Sequence, residues 1–91
     1  MTQVEVEKML INAICTVQEE SGRERVVVSS TTRPLLDIPE FDSLNCVEVT
    51  VDALDTFNID AKFNNVLADE GKPLTIAEAA ARLLQCVAEQ A

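Results

Sequence analysis

Histidine, tyrosine and tryptophan are absent from this 91-residue sequence, and phenylalanine occurs only three times. The first absence removes the commonest general base and the commonest metal ligand together. The shortage of aromatics leaves Leu, Ile, Val and Ala to fill a core. Apolar residues make up 47% of the chain, which argues for a folded chain rather than a disordered one. With two glycines and three prolines, the composition leans toward a helical bundle.

Basic residues are also scarce: seven Lys and Arg stand against sixteen Asp and Glu, for a net charge of −9. Binding to a phosphate backbone draws on clustered Lys and Arg, so neither nucleic acid nor an anionic membrane is an expected partner. A basic protein surface is the natural complement. Cys15, Cys46 and Cys86 are widely spaced, form no Cys-x-x-Cys and have no histidine beside them to complete a zinc site. They read as buried small hydrophobes in a reducing, cytoplasmic setting. The apolar run from Met9 to Val17 is too short to span a bilayer and starts beside Lys8, and no targeting segment is visible. No metal site and no membrane insertion are expected.

A chain of this length suits one domain, residues 1–91, which buries about 60–65% of its unfolded surface. The first helix is expected over roughly residues 3 to 20. Val6, Leu10, Ile14 and Val17 recur at helical spacing, with Glu5, Glu7, Lys8, Asn12 and Gln18 off that stripe. Ser21-Gly22 stops it. Residues 22 to 41 read as a long connection, pinned to the core by Leu35, Leu36 and Ile38. Val26 to Val28 is favoured as loop over strand, because no second strand-like segment exists to pair with it. A second helix should begin at Asp42-Ser43 and run to about Phe57. A brief third fits Lys62 to Leu67, before breaks at Gly71 and Pro73. Thr75-Ile-Ala-Glu78 is a capping box that opens a last helix with Ile76, Ala80, Leu83 and Val87 on one stripe. The expectation is all-α: three long helices and one short one, with a long loop between the first and second.

The second helix carries most of the information. On a wheel of about 100° per residue with Leu44 at zero, Cys46, Val49, Ala53 and Phe57 cluster between roughly 140° and 220°. Leu44, Val47, Val51 and Leu54 cluster between roughly 280° and 360°, and Glu48, Asp52 and Asp55 between roughly 20° and 80°. One apolar stripe seats a surface helix on a core. The second either packs on another helix or stays partly exposed as a docking surface beside the acids. Charge favours docking: from Pro34 through Ala61 there is no Lys or Arg, yet Asp37, Glu40, Asp42, Glu48, Asp52, Asp55 and Asp60 lie there. An ordinary solvated face mixes signs.

Asp42 is a good N-cap, worth around 1 kcal/mol against Ala. Ser43 then takes the first helical position, with its hydroxyl outside the core beside unpaired amides. A phosphodiester on that oxygen would be favoured by the helix dipole by roughly 0.3–1 kcal/mol. Taken alone, Asp-Ser at a helix start is usually only a cap.

With its neighbours, the segment resembles the acyl carrier proteins. Their signature is Asp-Ser-Leu at the start of the second helix, matched by Asp42-Ser43-Leu44. The match continues through Val47, Glu48 and Val49, to Phe57, and to Ile59-Asp60. Pro34-Leu-Leu-Asp-Ile-Pro-Glu-Phe41 is similar to the approach in some free-standing members, and Thr75-Ile76 to the start of their last helix. The layout agrees over most of the chain, while residues 34 to 60 carry the specific part.

The resemblance implies a 4'-phosphopantetheine arm on Ser43, within the motif Asp42-Ser43-Leu44, attached from coenzyme A by a phosphopantetheinyl transferase. Acyl groups ride on its terminal thiol as thioesters. The resemblance assigns Leu44, Val47, Val51 and Glu48 to docking on basic patches of partner acyl-transferring or synthase enzymes, and Val49 and Phe57 to the core. Asp52 and Asp55 extend the acidic side of that surface on the wheel. Such a protein is a monomeric carrier in fatty-acid, specialised lipid, or polyketide or peptide biosynthesis, and no enzyme itself. The chain departs from the family at Pro39-Glu40-Phe41, where many members have glycine shortly before the Asp. It departs again at Asn45 and Leu54, where acids are frequent, and at Asn64-Asn65. These changes leave the arm site intact and make a specialised carrier at least as good a fit as a housekeeping one.

Two rivals stand beside that reading. One is an unmodified helical protein-interaction module. The other is an enzyme using Ser43 or a cysteine as nucleophile, which needs an activating base. Without histidine only Lys8, Lys62, Lys72 or a carboxylate could serve, and none of the lysines lies near Ser43 in sequence.

Overall fold

The structure, a computed structural model, describes residues 2–24, 26–59 and 65–90. The first helix, α1, runs from Gln3 to Glu20. Thr2 caps it: its hydroxyl accepts from the Glu5 N–H at 3.2 Å while Glu5 accepts from the Thr2 N–H at 3.1 Å. At its other end Gly22 adopts a φ of +70°. The Gly22 N–H then reaches the Glu19 carbonyl (3.0 Å) and the Arg23 N–H the Gln18 carbonyl (2.9 Å). This pair satisfies carbonyls that the last turn would otherwise leave open. Val6, Leu10, Ile14 and Val17 are all buried, as the periodicity predicts. Gln18 departs from expectation. Placed off the stripe by spacing, it is 2% exposed and bonded to Arg23.

The connection after α1 is more structured than its sequence predicts. Val26 to Val28 is not a strand; Val26 and Val28 lean on the core and Val27 faces solvent. A single-turn helix, α2, spans Pro34–Asp37, with proline at its first position, where the missing N–H costs nothing. Ile38 is buried and Leu35 half-buried against the core, but Leu36 is 68% exposed and pins nothing. One turn of helix separates these three in direction, so they cannot all face inward.

The next helix, α3, covers Ser43–Phe57 with Asp42 as its N-cap, the boundaries the sequence predicts. Asn58, with φ 53°, ends it: the Ile59 N–H reaches the Leu54 carbonyl (2.9 Å) and the Asn58 N–H that of Asp55 (3.2 Å). Of the brief helix expected over 62–67, residues 62–64 lie outside the described residues, and Asn65, Val66 and Leu67 are not helical. Val66 and Leu67 are nevertheless buried. A two-stranded antiparallel hairpin follows, β1 (Ala68–Asp69) and β2 (Lys72–Pro73), pairing Ala68 with Pro73 and Asp69 with Lys72. The described chain is mostly helical, as expected, and this small two-stranded sheet is the one feature that the all-α expectation lacked. The break at Gly71 and Pro73 is a hairpin turn, with Glu70 and Gly71 both at positive φ.

The last helix, α4, spans Ile76–Gln90. Thr75 and Glu78 form the predicted capping box, at 3.1 Å and 2.9 Å. The two amides before Glu78 are bonded from the long connection. Ile76 N–H reaches the Thr32 carbonyl (3.0 Å) and Ala77 N–H the Ser30 carbonyl (2.9 Å). Arg33 adds bonds from Nη1 to the Pro73 carbonyl (3.0 Å) and to Glu78 Oε1 (3.1 Å). Residues 30–33 of the connection are therefore the N-terminal cover of α4, which anchors this part of it to the body. Ile76, Ala80 and Leu83 are fully buried and Val87 half-buried.

Helix α1 packs on both α3 and α4. Between them lies an aliphatic core that also takes in Phe41, Ile59, Val66 and Leu67. Each fully buried Val, Leu or Ile contributes about 1.5–3 kcal/mol over the same side chain in water.

Candidate functional site

Packing decides between the two apolar stripes of α3. Cys46, Val49 and Ala53 are fully buried against the core. On the other stripe Leu44 is 65% exposed, Val51 60% and Val47 38%. Glu48, Asp52 and Asp55 are exposed beside them. Two residues fall between. Leu54, grouped by angle with the outer stripe, is half-buried against the core, and Phe57, grouped with the inner, is only half-buried as well. Both lie in the last turn of α3.

Ser43 occupies the first helical position and is exposed, as are Asp42 before it and Leu44 after it. Asp42 caps by accepting the Asn45 N–H on Oδ1 at 3.0 Å, and Asn45 reciprocates by accepting the Asp42 N–H at 3.2 Å. Among the described residues the Ser43 hydroxyl has no hydrogen-bond partner, and neither do the backbone N–H groups of Ser43 and Leu44. An exposed hydroxyl thus stands beside two open amides at the positive end of the α3 dipole.

Behind this turn lies a part-buried polar cluster that spacing alone does not reveal. Asn45, 5% exposed, accepts from Arg23 Nη1 at 2.8 Å. The same nitrogen donates to Gln18 Oε1 at 3.1 Å, and Arg23 Nε stands 3.6 Å from Glu40 Oε2. Glu40 has a φ of 65°, a left-handed conformation unusual for a residue with a long side chain. Arg23 and Glu40 also line a pocket of about 230 Å³, with Gln18, Glu24, Val26 and Pro39. The sequence signal for the cluster was a polar Asn45 at the border between the acidic side of the helix and its inner apolar stripe.

One turn further along α3, Thr50 is buried and fully bonded. It donates to the Cys46 carbonyl (2.7 Å) and accepts from the Val66 N–H (2.9 Å). Of the three cysteines, all reduced, only Cys46 is buried; Cys15 and Cys86 are half-buried, against the expectation for all three. Burial pushes the Cys46 thiol up to about 11, only partly offset by a hydrogen bond from Asn65, so it stays protonated near neutrality. Among the described residues no group of acids and cysteines could hold a metal ion, and no helix is long and apolar enough to cross a membrane.

Compared with protein-family models, with curated proteins and with solved structures, the chain finds no match in any of the three.

Proposed function

We propose that this chain is a carrier of the acyl carrier type, a bundle of three long helices whose Ser43 bears a 4'-phosphopantetheine arm. The observation that carries the reading is the exposure of the Ser43 hydroxyl, unbonded, at the capped start of a helix with an exposed apolar stripe edged by acids. In the attachment step the Ser43 oxygen attacks the phosphorus of coenzyme A that carries pantetheine. A new phosphate ester forms, the pyrophosphate P–O bond breaks, and adenosine 3',5'-bisphosphate leaves; the serine proton passes to a base on the transferase. The chain needs no base of its own for this. It supplies an accessible oxygen and two open amides, of Ser43 and Leu44, toward which a phosphodiester anion is drawn by roughly 0.3–1 kcal/mol. When bound, the arm supplies a thiol that holds acyl groups as thioesters.

Partners are the transferase and acyl-transferring or synthase enzymes of fatty-acid, specialised lipid, polyketide or peptide pathways. Their basic patches complement Glu48, Asp52 and Asp55, while Leu44, Val47 and Val51 bury against apolar surface at the centre. A monomer in the cytoplasm suits this role. The same stripe would serve an unmodified interaction module, so the deciding experiment is covalent. Incubation with coenzyme A and a broad-specificity transferase is expected to raise the intact mass by one phosphopantetheinyl group, mapped to Ser43. No gain in mass leaves the interaction module as the reading.

A further inference from the structure

We infer that Arg23 is a positioning residue for Ser43, holding the first turn of α3 against the end of α1 and so setting where the serine hydroxyl is offered. The inference rests on Ser43 being the attachment site. Arg23 is itself anchored: its backbone N–H closes α1 on the Gln18 carbonyl at 2.9 Å. From that fixed point its guanidinium spans three elements. Nη1 donates to Gln18 on α1 (3.1 Å) and to Asn45 on α3 (2.8 Å), and Nε faces Glu40 of the approach to α3 (3.6 Å).

Asn45 is the coupling point. Its Oδ1 accepts both the Arg23 guanidinium and the Asp42 N–H, while its own N–H is capped by Asp42. The cation therefore fixes the side chain that fixes the cap. Gln18 and Asn45 are 2% and 5% exposed and the Arg23 side chain 21%, so both bonds are partly shielded from water and their loss leaves buried acceptors short of a donor. Bonds from a charged donor are the stronger kind. At about 100° per residue, Ser43 is turned roughly 200° from Asn45 around the helix. Arg23 thus works from behind α3 and never touches the reacting oxygen. Helix ends fray when their caps loosen, and a transferase that must meet one hydroxyl in line with a phosphorus is sensitive to where that oxygen sits.

The test is the transferase reaction on the full chain with coenzyme A. Arg23→Met keeps the aliphatic stem and removes every donor. Its kcat/KM for modification is expected to fall about tenfold, with the KM for coenzyme A unchanged. Amide exchange at Asn45 and Cys46 should quicken in the same variant. Ile76→Val, in the core at the start of α4, is the control: it lowers the melting temperature without touching the cluster, and should keep the wild-type rate and exchange. Should Arg23→Met not fold, Arg23→Lys, which keeps the charge but not the planar fork, is expected to be modified at an intermediate rate. Modification of either Arg23 variant at the wild-type rate overturns the inference. So does slowing of Ile76→Val in proportion to its loss of melting temperature. Wild-type protein that takes no arm sinks the proposed function instead, a separate outcome.

Discussion

Thr50 Oγ1 accepts the Val66 backbone N–H at 2.9 Å, with Thr50 1% and Val66 0% exposed. This bond ties the chain that follows α3 back onto the middle of that helix. Thr50→Val keeps the shape and leaves the Val66 N–H buried without a partner, which costs about 1–3 kcal/mol. Thr50→Ser keeps the bond and should lose less. Urea denaturation reads both, and a Thr50→Val loss no larger than that of Thr50→Ser would mean that the hydroxyl's bonds contribute no more than the methyl group.

Glu40 offers a backbone test. A left-handed non-glycine residue costs of order 1–3 kcal/mol, and glycine gives back part of any relief in chain entropy. The Arg23–Glu40 pair has a Glu40 side chain 75% exposed and adds little. Glu40→Gly should therefore be between unchanged and about 1 kcal/mol more stable, and Glu40→Val less stable by about 1 kcal/mol or more. Indistinguishable melting of the two variants would contradict a φ of 65° at this position.

Acid should weaken the start of α4. Hydrogen bonds from Thr75, then the nearby Arg33 charge, hold the Glu78 carboxyl below its ordinary 4.5. The ionised form thus favours the folded state at any pH above 4.5, and this contribution disappears as pH falls through the folded-state value. Glu78→Gln should melt below wild type at neutral pH, with the gap closing as the solution is acidified. A gap independent of pH would assign the difference to hydrogen-bond geometry instead.

Thiol chemistry distinguishes the cysteines. With Cys46 fully buried and its thiol raised to about 11, Cys15 and Cys86 should react first with an aromatic disulfide in native protein. Cys46 should follow only on unfolding. Three equally fast thiols would show that α3 opens readily.

On α3, Ser43→Ala should abolish arm attachment and change stability by less than about 0.5 kcal/mol, as surface substitutions usually do. Attachment surviving in Ser43→Ala would move the site elsewhere. Val51→Ala and Glu48→Lys should each slow processing by a partner enzyme while leaving the melting temperature nearly unchanged, since both residues are exposed. Parallel losses in both measurements would make the stripe structural.

What the amino-acid sequence determined by itself was the set of long helices, their ends, and a serine at the head of α3. These depend on signals within a turn or two: apolar spacing along α1, Gly22 after it, Asp42 before Ser43, and the Thr75–Glu78 box. The acids beside Leu44, Val47 and Val51 favoured that stripe of α3 as the exposed one, but tertiary structure decided it, because these residues are as apolar as Cys46, Val49 and Ala53 and their burial depends on where α1 lies. The same holds for the polar cluster around Arg23, which joins residues from three elements, and for the long connection, whose carbonyls find their donors on α4. Such pairings link distant residues, and no local periodicity records them.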